Sequence, residues 1–145
     1  MKLKSTEMEI SNKTLNQLEG SISPPIPKDS SSLICTCYNL RKKKIGTFSV
    51  EDYRILIGQD IGLNYLIPLA LKILEQNILA EGDYYEGDLW KSVLSCSKEF
   101  WGANSELKSQ LIRLFEANRL LLESSDISEE IKKSIFQAFD KLLQI

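Results

Sequence analysis

Apolar residues recur three and four positions apart along most of this chain, and the polar residues between them supply helix starts and stops. Leu33, Ile34, Cys37 and Leu40 mark one face of a helix that begins at Ser32. Ser49 offers the next N-cap, with Asp52 three residues on in the manner of a capping box, and Tyr53, Leu56 and Ile57 repeat behind it. Gly58 or Gly62 closes that helix. Residues 65–76 are apolar almost all round, as expected at the centre of a core, and Pro68 fits there only in a first turn, where its missing N–H is no loss. Residues 82–89, GDYYEGDL, read as a turn whose Asp88 caps a helix carrying Leu89, Trp90, Val93 and Leu94. Ser105 starts a long amphipathic helix through residue 122, on Leu107, Leu111, Leu114, Phe115 and Leu122. Ser128 caps the last helix, which places Glu129 and Glu130 at the positive end of its dipole and Ile131, Ile135, Phe139 and Leu142 on one face.

The front of the chain is less patterned. Residues 1–10 show neither helical nor strand period and read as a frayed, flexible N-terminus. Ser11 caps a short helix with Leu15 and Leu18, closed by Gly20. Residues 21–32, with Pro24, Pro25 and Pro27, read as an ordered loop too short to divide two domains. Residues 45–50 leave room for a short extended piece. The pattern therefore predicts an all-α fold, a compact single domain over residues 11–145 built from about six helices with short loops.

Composition narrows the class. A chain of 145 residues can bury roughly 70% of its unfolded surface without metal or disulfide staples. With 43% hydrophobic and 26% charged residues it has the make-up of a soluble globular protein. Its most apolar stretch, residues 61–74, falls short of the roughly 20 residues a spanning helix needs and is broken by Gly62, Asn64, Pro68 and Lys72, so no membrane contact is expected. Glu7 and Glu9 follow Lys2 and Lys4 where a secretory leader would be apolar, which predicts a cytoplasmic protein. Cys35, Cys37 and Cys96 read as reduced, partly buried thiols, and two cysteines two apart on a helix diverge too far to share a ligand.

Candidate chemistry is sparse. The chain has no histidine, which removes the commonest general base and the commonest metal ligand together. No glycine-rich phosphate loop is present, since no Gly-Lys-Ser/Thr follows Gly58 and Gly62. Asp83, Glu86 and Asp88 lie close in sequence without the oxygen-ligand spacing of a calcium loop. They read as a solvated turn and a cap, with a surface for a basic partner or a carboxylate-dependent enzyme site as alternatives. The cations of residues 41–44 complement a helix C-terminus; a regulatory module binding nucleic acid would interleave more aromatics than Tyr38 and Phe48. No cofactor, metal or nucleic acid is expected. Charge is uneven: residues 1–48 hold eight Lys/Arg against four Asp/Glu, residues 49–145 ten against sixteen, so the later part suits a basic partner. Among the aromatics near the acidic turn, Trp90 and Phe100 read as core and Tyr84 as the exposed contact.

Residues 49–71, SVEDYRILIGQDIGLNYLIPLAL, resemble the immunity proteins of bacterial contact-dependent growth inhibition (CDI) systems. The likeness continues through LEQNILAEGDYYEGDLWKSVL at residues 74–94 and EFW at 99–101. LEG at 18–20 and SSLICTCYNLR at 31–41 resemble the family's opening, so most of residues 15–115 is covered. Ser21 and Ile22 stand where the family commonly has a tryptophan, and prolines usual near Lys44 and Asn64 are missing. The resemblance implies a helical, non-catalytic protein that binds the C-terminal toxin domain of a cognate effector. That toxin is commonly a nuclease, for this helical group a ribonuclease-A-like one, and a 1:1 complex would cover its active site. Gly82, Gly87, Asp88, Leu56, Leu66, Leu69 and Leu71 carry over as scaffold. Toxin binding is then expected at exposed, less patterned positions: Asp83, Tyr84, Glu86, Glu123 and Asp126.

Overall fold

The computed structural model describes residues 2–20 and 25–145, without the side chains of residues 2–6. Among these residues the chain is all-α: α1 (Lys2–Ser11), α2 (Leu15–Glu19), α3 (Ser32–Leu40), a 3-10 turn (Ile45–Thr47), α4 (Val50–Gly58), α5 (Leu63–Gln76), α6 (Asp88–Ser95), α7 (Lys98–Ala103), α8 (Ser105–Ser124) and α9 (Glu129–Leu143). The extended pairing among them is a single bridge between Glu81 and Glu86.

Local chemistry sets most boundaries. Ser31, Ser49 and Ser128 each accept a backbone N–H two or three residues into α3, α4 and α9, and Asp52 returns the bond to Ser49 N–H at 3.0 Å to complete a capping box. Other boundaries differ from the sequence expectation. α2 is capped by Thr14 in a capping box with Gln17, because Ser11 ends α1, a helix over residues that show no apolar period. α5 begins at Leu63, two residues earlier than its pattern, which puts Pro68 beyond the first turn. The carbonyl that Pro68 leaves without an N–H belongs to Asn64, an exposed residue open to water. Residues 45–50 hold a 3-10 turn followed by the α4 cap. Ser105 is the first residue of α8 rather than its cap, and Asn104, which precedes it, uses its side chain on Phe100 carbonyl instead. Of the expected loop over 21–32, residues 21–24 lie outside the described residues, and 25–30 contain no helix.

α6 packs between α4 and α9, while α5 packs on α4, α6 and α8. Burial is concentrated there: Leu56, Ile57, Leu66, Ile67, Leu74, Leu89, Trp90 and Phe139 are shut off from solvent. Phe115 of α8 stacks on Phe139 of α9 at 4.0 Å between centroids and meets Trp90 edge-on at 5.4 Å, so aromatic contacts tie α6, α8 and α9. Phe100 and Trp90 are buried, as the sequence predicts. α6 and α9 run parallel: Lys91 Nζ donates to Ser134 Oγ at 2.8 Å, and farther along both helices Leu94 and Cys96 line one depression with Ala138 and Leu142. Their N-termini therefore share one end of the molecule.

Candidate functional site

That end begins with Asp88. The sequence marks it as an N-cap; instead it is the first residue of α6, 2% exposed, behind Gly87, whose φ of 91° a side chain would resist. Its carboxylate turns back into the preceding loop. Oδ1 accepts Gly82 N–H at 2.7 Å, and Oδ2 accepts Tyr84 N–H at 3.1 Å and Tyr85 N–H at 3.4 Å. One buried carboxylate thus folds residues 82–85 around itself.

A second carboxylate holds the loop from α4. Glu51 Oε1 accepts Asp83 N–H at 2.8 Å, while Arg54 Nε and Nη2 grip both Glu51 oxygens at 2.5 Å each. The hydrogen bond from Arg54 is the main reason the Glu51 carboxyl sits below the ordinary carboxylate range. Arg54 also lies 3.8 Å from Asp88 Oδ2, and its guanidinium covers the Tyr84 ring at 4.3 Å. Gly82 is packed so tightly that a Cβ would strike Glu51 Oε1 and come within 3.1 Å of Asp88 Oδ2. Glu51 and Arg54 escaped the sequence reading; their only mark is acid and base three apart on a capped helix.

The result is a fixed loop with an exposed outer edge. Asp83 and Glu86 face solvent, and the Tyr84 ring, resting on Arg54, is 72% exposed. Glu123 and Asp126 are exposed as well, at the corner between α8 and α9. Lys132, buried in α9, fixes that corner by donating to Glu123 carbonyl at 2.7 Å. Because α6 and α9 start at the same end, the loop and the corner lie on one end of the bundle, together with Glu129 and Glu130 of α9.

Other candidates are engaged elsewhere. Among residues 41–44, Arg41 pairs with Glu19 at 2.6 Å, Lys43 with Asp52 at 2.7 Å, and Lys42 covers the Tyr38 ring at 4.0 Å. Arg41 and Lys43 thus tie α3 and the turn after it to α2 and α4, while Lys42 and Tyr38 pair locally at the end of α3. Cys35, Cys37 and Cys96 are free thiols; burial pushes the Cys96 thiol up to about 12. Among the described residues no group of His, Cys, Asp and Glu is gathered as metal ligands, and no helix is long and apolar enough to cross a membrane.

Fold and surface together define a small all-helical domain that holds an acidic, tyrosine-bearing loop rigidly against its core. Residues 17–111 match the family model of the CDI immunity proteins, and the chain belongs to that family. It is therefore an immunity protein of a CDI system, with a cognate toxin as its partner. Asp83, Tyr84 and Glu86 fall within the matched segment; Glu123 and Asp126 lie beyond it. Comparison with curated proteins and with solved structures returned no match.

Proposed function

We propose that this protein acts in the cytoplasm, without catalysis of its own, by binding the nuclease domain of its cognate effector one-to-one and covering the active site. The observation that carries this reading is the acidic end of the bundle, where Asp83, Glu86, Glu123 and Asp126 are all exposed. A nuclease cleft that holds phosphates is basic, so an acidic surface steers association and competes for the same groups. The sequence resemblance supports a ribonuclease-A-like fold for that nuclease. The rigid mounting of the loop by Asp88, Glu51 and Arg54 supports the same reading, since a preformed surface loses little entropy on binding. It also weighs against a carboxylate enzyme: Asp88 and Glu51 are committed to backbone N–H groups and to an arginine.

The test is co-expression with the toxin domain of the cognate effector. A 1:1 complex on a sizing column, with a dissociation constant of about 1 nM or below and loss of nuclease activity, is expected. Continued killing with no complex would overturn the proposal. Reversing charge at Asp83→Lys plus Glu86→Lys should weaken binding while leaving the melting temperature nearly unchanged, because neither carboxylate holds the loop. Equal affinity of variant and wild type would remove this loop from the interface.

A further inference from the structure

Residues 119–122 read Arg-Leu-Leu-Leu, and only one of the three leucines serves the core. Leu122 is 1% exposed, whereas Leu120 is 78% and Leu121 55% exposed. Helical spacing puts Ala117, Leu120, Leu121 and Ser124 on one outward face of α8, and the short side chains of Ala117 and Ser124 leave the two leucines standing clear. A single exposed leucine is ordinary, but two adjacent ones on one face, in the last turns of a helix, form an unpartnered apolar patch.

The setting of this patch favours one kind of occupant. It adjoins the α8–α9 corner, where Glu123, Asp126, Glu129 and Glu130 are exposed. The neighbouring cations offset them only in part. Arg119 is paired with Glu116 at 3.1 Å and turned over the rings of Phe115, Phe136 and Phe139 at 5.3–5.6 Å, and Lys132 is buried, donating to Glu123 carbonyl and pairing with Glu129 at 3.3 Å; Lys133 is exposed, and so are the carboxylates of Asp126 and Glu130. A second copy of this chain, docked through a two-fold interface, would bring the same acidic corner against itself. A basic partner meets no such repulsion. The corner is also fixed: besides Lys132, Ser125 Oγ donates to Leu122 carbonyl at 2.7 Å and Ser128 caps α9.

We infer that Leu120 and Leu121 are the apolar centre of the surface that binds the cognate toxin, inserting into an apolar depression bordered by basic side chains. Apolar side chains beside an acidic corner match the anatomy of tight protein interfaces, in which a desolvated core carries most of the energy and a charged rim guides approach. This inference rests on the proposed toxin binding and adds a segment of α8 to it.

The test measures affinity for the cognate effector's toxin domain by calorimetry, using the full chain as wild type, as Leu120→Ser/Leu121→Ser, and as Leu120→Met/Leu121→Met. The serine variant should bind about thirtyfold more weakly or worse, the level of an interface hot spot. The methionine variant should bind close to wild type, and both should keep the wild-type melting temperature, since neither side chain packs in the core. Wild-type binding unaffected by the serine variant overturns this inference and leaves toxin neutralisation standing; no binding by wild type overturns both. Wild type that runs as a dimer on its own, dissociated by the serine variant while toxin affinity holds, assigns the patch to self-association and also overturns the inference.

Discussion

Asp88 occupies the position where a cap is expected and does a different job. A cap would serve the N–H groups of its own helix; this carboxylate serves three N–H groups of the loop before it. Replacing it strands those donors in a site with little solvent. Asp88→Ala should therefore lower stability by about 2 kcal/mol or more, at the upper end of what a lost cap costs. Asp88→Asn, which keeps the shape and one oxygen, should fall between. Denaturant unfolding of the three proteins checks the order. Equal stability of alanine variant and wild type would mean the loop folds without this carboxylate. Gly82 is the matching constraint on the other side, since a Cβ there would strike the Glu51 carboxylate and crowd that of Asp88.

At the scale of elements, the link between α4 and the loop has a pH signature. The Glu51 carboxyl is held low chiefly by its hydrogen bond from Arg54. A group whose folded pKa lies below its unfolded value, about 4.3 for glutamate, stabilises the fold above that value and loses its contribution as pH falls through the folded one. Glu51→Gln keeps an acceptor for Asp83 N–H but removes the charge. The stability gap between wild type and Glu51→Gln should be widest near neutral pH and shrink as the solution is acidified below about pH 4. A gap constant across that range would show that the Glu51 charge contributes nothing to holding the loop. The same elements show what sequence can reveal. α3, α4, α6, α8 and α9 were legible because each buries one face, so apolar spacing reports the helix directly. α1 was not, because it meets the rest of the molecule through Ile10 at the core's edge, the Glu7–Lys72 ion pair and packing on the 3-10 turn, none of which leaves a period. α7 is too short to show one. The acidic turn was visible as composition, but its mounting by Glu51 and Arg54 depends on a contact across 32 residues that no local pattern encodes. Leu120 and Leu121 were hidden for the opposite reason: beside Leu122 they look like core, and only the helix's rotation separates them.

For the whole molecule, the parallel packing of α6 and α9 decides where charge accumulates. Both helices point their N-termini to the same end, and acidic side chains gather there because a helix N-terminus carries partial positive charge that favours them. Glu129 and Glu130 in the first turn of α9 follow this rule on the surface, and Asp88 follows it within the core. The arrangement that stabilises two helices thereby also points a negative field outward. If that field guides the toxin onto this end, the association rate should fall about tenfold or more between about 0.02 M and 0.5 M salt, as the screening length shrinks below the dimensions of the surface. The dissociation rate, governed by the desolvated apolar centre, should change far less. The Asp83→Lys/Glu86→Lys variant should show a slower association at low salt and a flatter salt dependence, whereas Leu120→Ser/Leu121→Ser should keep the wild-type slope and dissociate faster. Stopped-flow mixing with the toxin domain separates the two rates. A salt-independent association rate for wild type would mean that the acidic end does not steer encounter, and that any affinity arises from contacts made after docking.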